Sequence, residues 1–166
     1  MFCEMRRKRQ QLSKQECFDI LERNTSGVLA VLGDDDYPYA VPLSYVFDED
    51  KIYFHCAKSG HKLDAIKKHN KVSFCVTDQD QIVPAEYTTY FRSVIVFGTM
   101  RVIEDEYEKR TAIEKLAVKY APSDGTDDLQ REIDRGWSAL CVLEMNIEHM
   151  SGKEAKELIN KRPSLN

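Results

Sequence analysis

The stretch Tyr53-Phe-His-Cys-Ala-Lys-Ser-Gly-His-Lys62 decides the reading of the fold, because an alternating strand breaks there at a glycine and resumes as a helix. The junction carries Lys58, Ser59, His61 and Lys62. Amide N–H groups at a helix start lack intrahelical partners and carry roughly half a positive charge. Two lysines and a hydroxyl added at that spot make a receptor for a dianion, most simply a phosphate group. The competing account is a solvated turn with an ordinary cap. A Walker A loop does not fit, since it needs more glycine and a closing Lys-Ser/Thr pair. Charge-assisted hydrogen bonds contribute roughly 1.5–3 kcal/mol each, while association costs at least about 4 kcal/mol. A phosphate held there needs a second, mostly apolar surface.

Upstream, Val41-Pro-Leu-Ser-Tyr45 is a candidate for that surface, because the acidic turn Asp48-Glu-Asp50 folds the chain back toward the strand of His55. A planar heterocycle could stack there and take hydrogen bonds from a proline-broken edge; an irregular edge strand is the plainer account. Pro38 and Pro42 each remove a ladder donor, so the extended stretch 37–47 belongs at an edge or a bulge. Further upstream, Ser13-Lys-Gln-Glu16 reads as a capping box opening a short helix. The run from Gly27 to Gly33 reads as a buried strand.

Downstream, a helix over 61–69 leads to a strand at 71–77 and a polar loop at 78–84. The β-branched and aromatic stretch 88–103 forms one or two strands. In it Arg92 and Ser93 precede an apolar run, either as ligands for a polar ring edge or as a surface ion pair and strand start. Tyr107 to Tyr120 marks an amphipathic helix, residues 129–135 a short one, 138–147 a final strand and 152–161 a polar terminal helix. The count is six strands. Short turns make them antiparallel, and without βα alternation or a GxGxxG a Rossmann domain is excluded. The fold class is mostly β, an antiparallel barrel with peripheral helices, and residues 1–166 form one domain.

Composition sets bounds. The 166 residues are 42% hydrophobic and 31% charged, as in a soluble globular protein. A formal charge of −4 argues against nucleic acid as the main partner. The basic cluster Arg6-Arg-Lys-Arg9 reads as a solvated start rather than an interaction tail. Cys3, Cys17, Cys56, Cys75 and Cys141 are scattered without a CxxC, which points to packing, no metal site and a reducing cytoplasm. No apolar run approaches the roughly 20 residues needed to span a membrane, and the N-terminus lacks a signal-peptide core.

His55 and Cys56 are strand neighbours and face opposite ways, so they cannot act jointly. His55 alone is either a hydrogen-bonded structural histidine or a group touching substrate. His69 and His149 lack partners for metal ligation, and no GxSxG motif is present. A site without acid, base or nucleophile motifs suggests that a cofactor carries the chemistry. Trp137, the sole tryptophan, suits a core or an interface.

Taken together, Tyr37-Pro-Tyr-Ala-Val-Pro-Leu-Ser-Tyr45, Ile52-Tyr-Phe-His-Cys-Ala57 and Gly60-His-Lys-Leu-Asp-Ala65 resemble the flavin-binding split-barrel superfamily. Within it the chain is similar to the pyridoxamine 5′-phosphate oxidase-related nitroimidazole-resistance proteins. Met5-Arg-Arg-Lys-Arg-Gln10, the segment from Tyr87 to Gly98 and Trp137 fit the same group. The resemblance implies a six-stranded split barrel that dimerises with FMN, or FAD, at the subunit interface. Lys58, Ser59, His61 and Lys62 would hold the phosphate. Pro42, Leu43, Ser44 and Tyr45 would line the ring system, with His55 and Ala57 close by. Ser93 and Val94 would approach the ring edge or ribityl chain, with Trp137 near the interface and His55 the residue beside substrate. It further implies a cytoplasmic oxidoreductase passing electrons from NAD(P)H through the flavin to nitro compounds. A non-catalytic flavin carrier or sensor is the rival, and haem or a deazaflavin a third possibility. The arginine-rich C-terminal motif of the B6 oxidases is missing, so vitamin B6 oxidation is not expected.

Overall fold

The computed structural model describes residues 2–159. The first helix, α1 (Lys14–Arg23), starts at the expected capping box: Glu16 N–H donates to Ser13 Oγ at 3.2 Å, and Ser13 N–H donates to Glu16 Oε2 at 2.7 Å. Its buried face is Cys17, Ile20 and Leu21. Strands β1 (Ser26–Leu32) and β2 (Pro38–Ser44) form a hairpin, and β2 lies at the edge of the sheet, where its two prolines cost no ladder bonds.

The chain bends at Tyr45 into β3 (Val46–Asp48), which turns into β4 (Lys51–Ala57). Tyr45 is fully buried at this corner. Its hydroxyl donates to the Leu21 carbonyl at 2.8 Å, and its N–H donates to Tyr120 Oη at 2.9 Å. That pinned corner splits the stretch 37–47 into two strands, so the sheet has seven strands where six were expected.

Helix α2 (His61–Lys68) then leads to β5 (Lys71–Val83) and β6 (Thr88–Val102), a long hairpin. The expected loop at 78–84 is strand through Val83. A bulge between Thr77 and Gln79 frees Asp78 to accept from Arg23 at 2.7 and 2.6 Å and from Asn24 at 2.9 Å, tying the hairpin to α1.

Helices α3 (Glu106–Tyr120) and α4 (Thr126–Gly136) precede β7 (Leu140–Glu154) and the short α5 (Lys156–Ile159). The final strand therefore runs seven residues past the expected end at Ile147. Gly152, read as a helix start, pairs with Val94; a Cβ there would lie 2.5 Å from Cys17 Sγ, so α1 packs directly on this strand. Residues 160 and 161 of the expected terminal helix lie outside the described residues.

All pairings are antiparallel, in the order β2-β1-β5-β6-β7-β4-β3. The ends do not pair; β2 touches β4 with no ladder between them, the split of a split barrel. Leu29, Phe54, Phe74, Val94 and Leu143 fill the interior. A second core covers the outer face of β4 and β7, where Tyr53 and Val142 meet Ile113, Leu116 and Ile133 of α3 and α4. Among the described residues no helix is long and apolar enough to cross a membrane, and no cluster of metal-ligating side chains is present.

Candidate functional site

Strand β4 delivers Ala57 and Lys58 to the start of α2, and Gly60 makes the turn with φ +136° and ψ 163°, a conformation open essentially to glycine alone. A Cβ on Gly60 would meet nothing within 4 Å, so the space above the turn is free. The helix has no side-chain cap. Lys58, Ser59 and His61 are exposed and Lys62 is half-buried. Among the described residues neither Lys58 nor Lys62 forms an ion pair, so both ammonium groups are available to an anion.

His61 is differently engaged. Its Nδ1 lies 3.8 Å from Asp34 Oδ2 in the β1–β2 turn, and its ring packs at 4.5 Å on Tyr39. Lys68 donates to Asp34 Oδ1 at 2.8 Å; this bond, with His61 as a lesser contributor, holds the Asp34 carboxyl below its ordinary range. His61 thus anchors α2 to β2 through Tyr39 and Asp34.

From Tyr39, Pro42 lies three residues along β2, roughly 10 Å at strand rise. Pro42 and Ser44 are exposed and Leu43 is half-buried against the interior. Tyr45 offers only backbone, since its side chain belongs to the core and its hydroxyl, buried against Leu21 and near Tyr120, is held well above the usual tyrosine range. On β4, His55 and Ala57 are exposed and sit opposite Val142 and Leu140. Cys56, between them, faces the interior opposite Cys141; burial, then the neighbouring thiol, pushes it up to about 11 despite Lys62.

One end of the barrel thus gathers the α2 start, the β2 edge and the exposed side of β4. Ser93 and Val94 are elsewhere, on β6 in mid-sheet. Ser93 pairs with Thr77 and Lys153, and the Val94 side chain is fully buried. Trp137 follows α4 in a 3-10 turn. Its Nε1 donates to Glu106 at 2.8 Å, and Lys109 Nζ lies 4.0 Å from its ring centroid.

That lysine was missed in the sequence. Lys109 is 6% exposed and shares the apolar stripe of α3 with Ala112, Ile113 and Leu116, a spacing that signals a buried cation. With Lys58 and Lys67 it lines a cleft of about 360 Å³ between α2 and α3.

A family model described as pyridoxamine 5′-phosphate oxidase matches residues 13–154. The chain belongs to the pyridoxamine 5′-phosphate oxidase family. Solved structures share its fold. A candidate 5-nitroimidazole antibiotic resistance protein from Bacteroides thetaiotaomicron is 21% identical with a TM-score of 0.71, over 87% of this chain and 86% of its own. An FAD-binding protein from Mesorhizobium loti is 24% identical with a TM-score of 0.66, over 89% and 98%. A conserved hypothetical protein from Mycobacterium tuberculosis is 17% identical with a TM-score of 0.80, over 98% and 96%. A search of curated proteins returns no match.

Proposed function

We propose that the protein is a flavin-dependent oxidoreductase that reduces small acceptors such as nitro compounds with electrons from NADH or NADPH. The observation that carries this reading is the uncapped start of α2, behind a positive-φ glycine and beside two unpaired lysines, at the gap between β2 and β4. The donor set fits a flavin phosphate: Lys58 and Lys62 supply charge, Ser59 a hydroxyl, and Gly60 an open approach to the backbone. FMN satisfies it, and FAD shares that part. Kinship with a fold whose members include FAD-binding proteins supports the reading.

A bound flavin would supply two-electron transfer between a nicotinamide and the acceptor. The chain's own residues do the rest. The β2 edge from Pro42 to Ser44 gives one face for a planar ring and backbone groups for its polar edge. His55, exposed on β4, places an imidazole where it can orient an acceptor or hand it a proton from a ring N–H.

A homodimer completes the site on this reading, because Ser93 cannot reach the β2–β4 gap of its own chain and joins only from a second copy. The outer sheet face supports such pairing: Pro42, Val28, Cys75 and Ile95 stand in register across four strands, with Val28 41% and Ile95 39% exposed.

The test is cofactor capture followed by reduction. Purified protein should take up FMN with quenching of flavin fluorescence, and Lys58→Glu with Lys62→Glu should abolish uptake while the folded spectrum persists. Retained cofactor in the double variant would put the site elsewhere. Anaerobic mixing with NADH or NADPH should then bleach the bound flavin; inertness toward both would leave the carrier or sensor as the function.

A further inference from the structure

The cleft between α2 and α3 holds two lysines, Lys67 and Lys109, that the flavin reading does not use. Where β6 leaves the sheet at Val102, β7 continues to pair with β4 alone, which opens a slot beside Leu140 and Cys141. Leu63, Val102, Ile103, Leu140 and Cys141 make its floor. Lys58 and Lys67 stand at the rim, and Lys109 is in the wall.

Lys109 is the decisive group. An ammonium has three N–H donors and no acceptor, so one that lines a cleft without a counter-charge favours an anion there. Among the described residues Lys109 has neither an ion pair nor a hydrogen bond, and its Nζ rests only on the Trp137 ring, at 4.0 Å. A cation–π contact supplies no acceptor to the N–H groups, which stay free for an anion in the cleft. Glu106, three residues before it on the same helix, accepts from Trp137 Nε1.

We infer that this cleft binds a small amphipathic carboxylate, its apolar body on the Leu63–Leu140 floor and its carboxylate on Lys109, with Lys67 assisting at the rim. At about 360 Å³ the space is at the small end of ordinary ligand sites. The cleft shares Lys58 with the proposed phosphate site, but the carboxylate is placed on Lys109 and Lys67, which that site does not use.

Octanoate is the probe, and Trp137, the sole tryptophan, reports from beneath Lys109. Calorimetry of the protein as purified should show saturable octanoate binding with a parallel change in tryptophan emission. Octanol should not saturate. Lys109→Met should weaken octanoate at least tenfold, and Lys109→Arg should restore most of that loss. Lys67→Glu, at an exposed position that cannot compromise the core, should weaken binding several-fold. The inference is overturned by absence of saturable binding in the unaltered protein, by octanol binding as well as octanoate, or by octanoate affinity unchanged in Lys67→Glu or in a folded Lys109→Met.

Discussion

At the residue scale, His55 and Cys56 show how one strand divides its labour. The strand alternation that exposes His55 turns Cys56 inward against Cys141, so only the imidazole can meet a substrate. Replacing His55 with alanine should leave flavin bound, since the proposed phosphate contacts lie elsewhere, and should lower turnover of a nitro substrate roughly tenfold to a hundredfold. Unchanged steady-state turnover would remove His55 from the mechanism. The cysteines carry a second prediction. Burial, with a smaller contribution from Glu16, pushes the Cys17 thiol up to about 11, and Cys56 is raised to the same level. Since the thiolate is the nucleophile, both should alkylate roughly a hundredfold more slowly at pH 8 than an ordinary exposed thiol. Cys3 is exposed and should label first with iodoacetamide, as peptide mass spectrometry would show. Rapid labelling of Cys56 would mean that the barrel end opens in solution.

At the element scale, the turn into α2 depends on one backbone conformation. Gly60→Ala meets no steric obstacle, yet forces an L residue into φ +136°. It should cost about 1–3 kcal/mol of stability in urea denaturation and weaken flavin uptake together. The inner ladder depends on Glu144, 4% exposed on β7, which accepts from Lys51 at 3.0 Å and Arg101 at 2.9 Å. Burial raises its pKa, but the bonds from Arg101 and Lys51 outweigh that and hold it below 4.5. A depressed carboxyl contributes stability above its unfolded pKa, lost as pH falls through the folded value. Glu144→Gln should therefore cost about 1–3 kcal/mol at pH 7, with the difference shrinking below about pH 4 in denaturant titrations. The sequence made much of this scale legible where one local rule governs, as at the Ser13 capping box and the proline-bearing edge strand. It misled where a polar composition served a strand. Asp78 and Asp80 look like loop residues, yet Asp78 occupies a bulge that clamps α1, and Asp80 pairs with Phe91. Glu154 looked helical but faces Arg92 across β6 and β7 at 3.0 Å. Such partners are distant in the chain, and no local pattern announces them.

At the scale of the whole molecule, the same distinction explains what could be read of the candidate site. The proposed phosphate end was readable because Lys58 to Lys62 form one short stretch at a strand-to-helix junction. The proposed ring end was readable from the proline-broken edge Val41-Pro-Leu-Ser-Tyr45 as well as from a resemblance, whereas the cleft lysine Lys109 shows only where α3 packs on β7. The assembly is the remaining level, and the outer sheet face argues for it. Pro42, Val28, Cys75 and Ile95 present an apolar row across four adjacent strands, on the side of the sheet opposite the filled interior. Covering such a face removes apolar surface from water, and two-fold pairing would set each row against another copy. Val28→Glu, made at a 41% exposed position, should leave the single chain folded while placing a charge in the proposed interface. Sedimentation velocity should show the unaltered protein as a dimer and the variant as a monomer. If the flavin lies between subunits, the monomer should also lose most of its FMN affinity. A Val28→Glu protein that still sediments as a dimer would move the interface to another surface, and a monomer with undiminished FMN affinity would confine the cofactor to one chain.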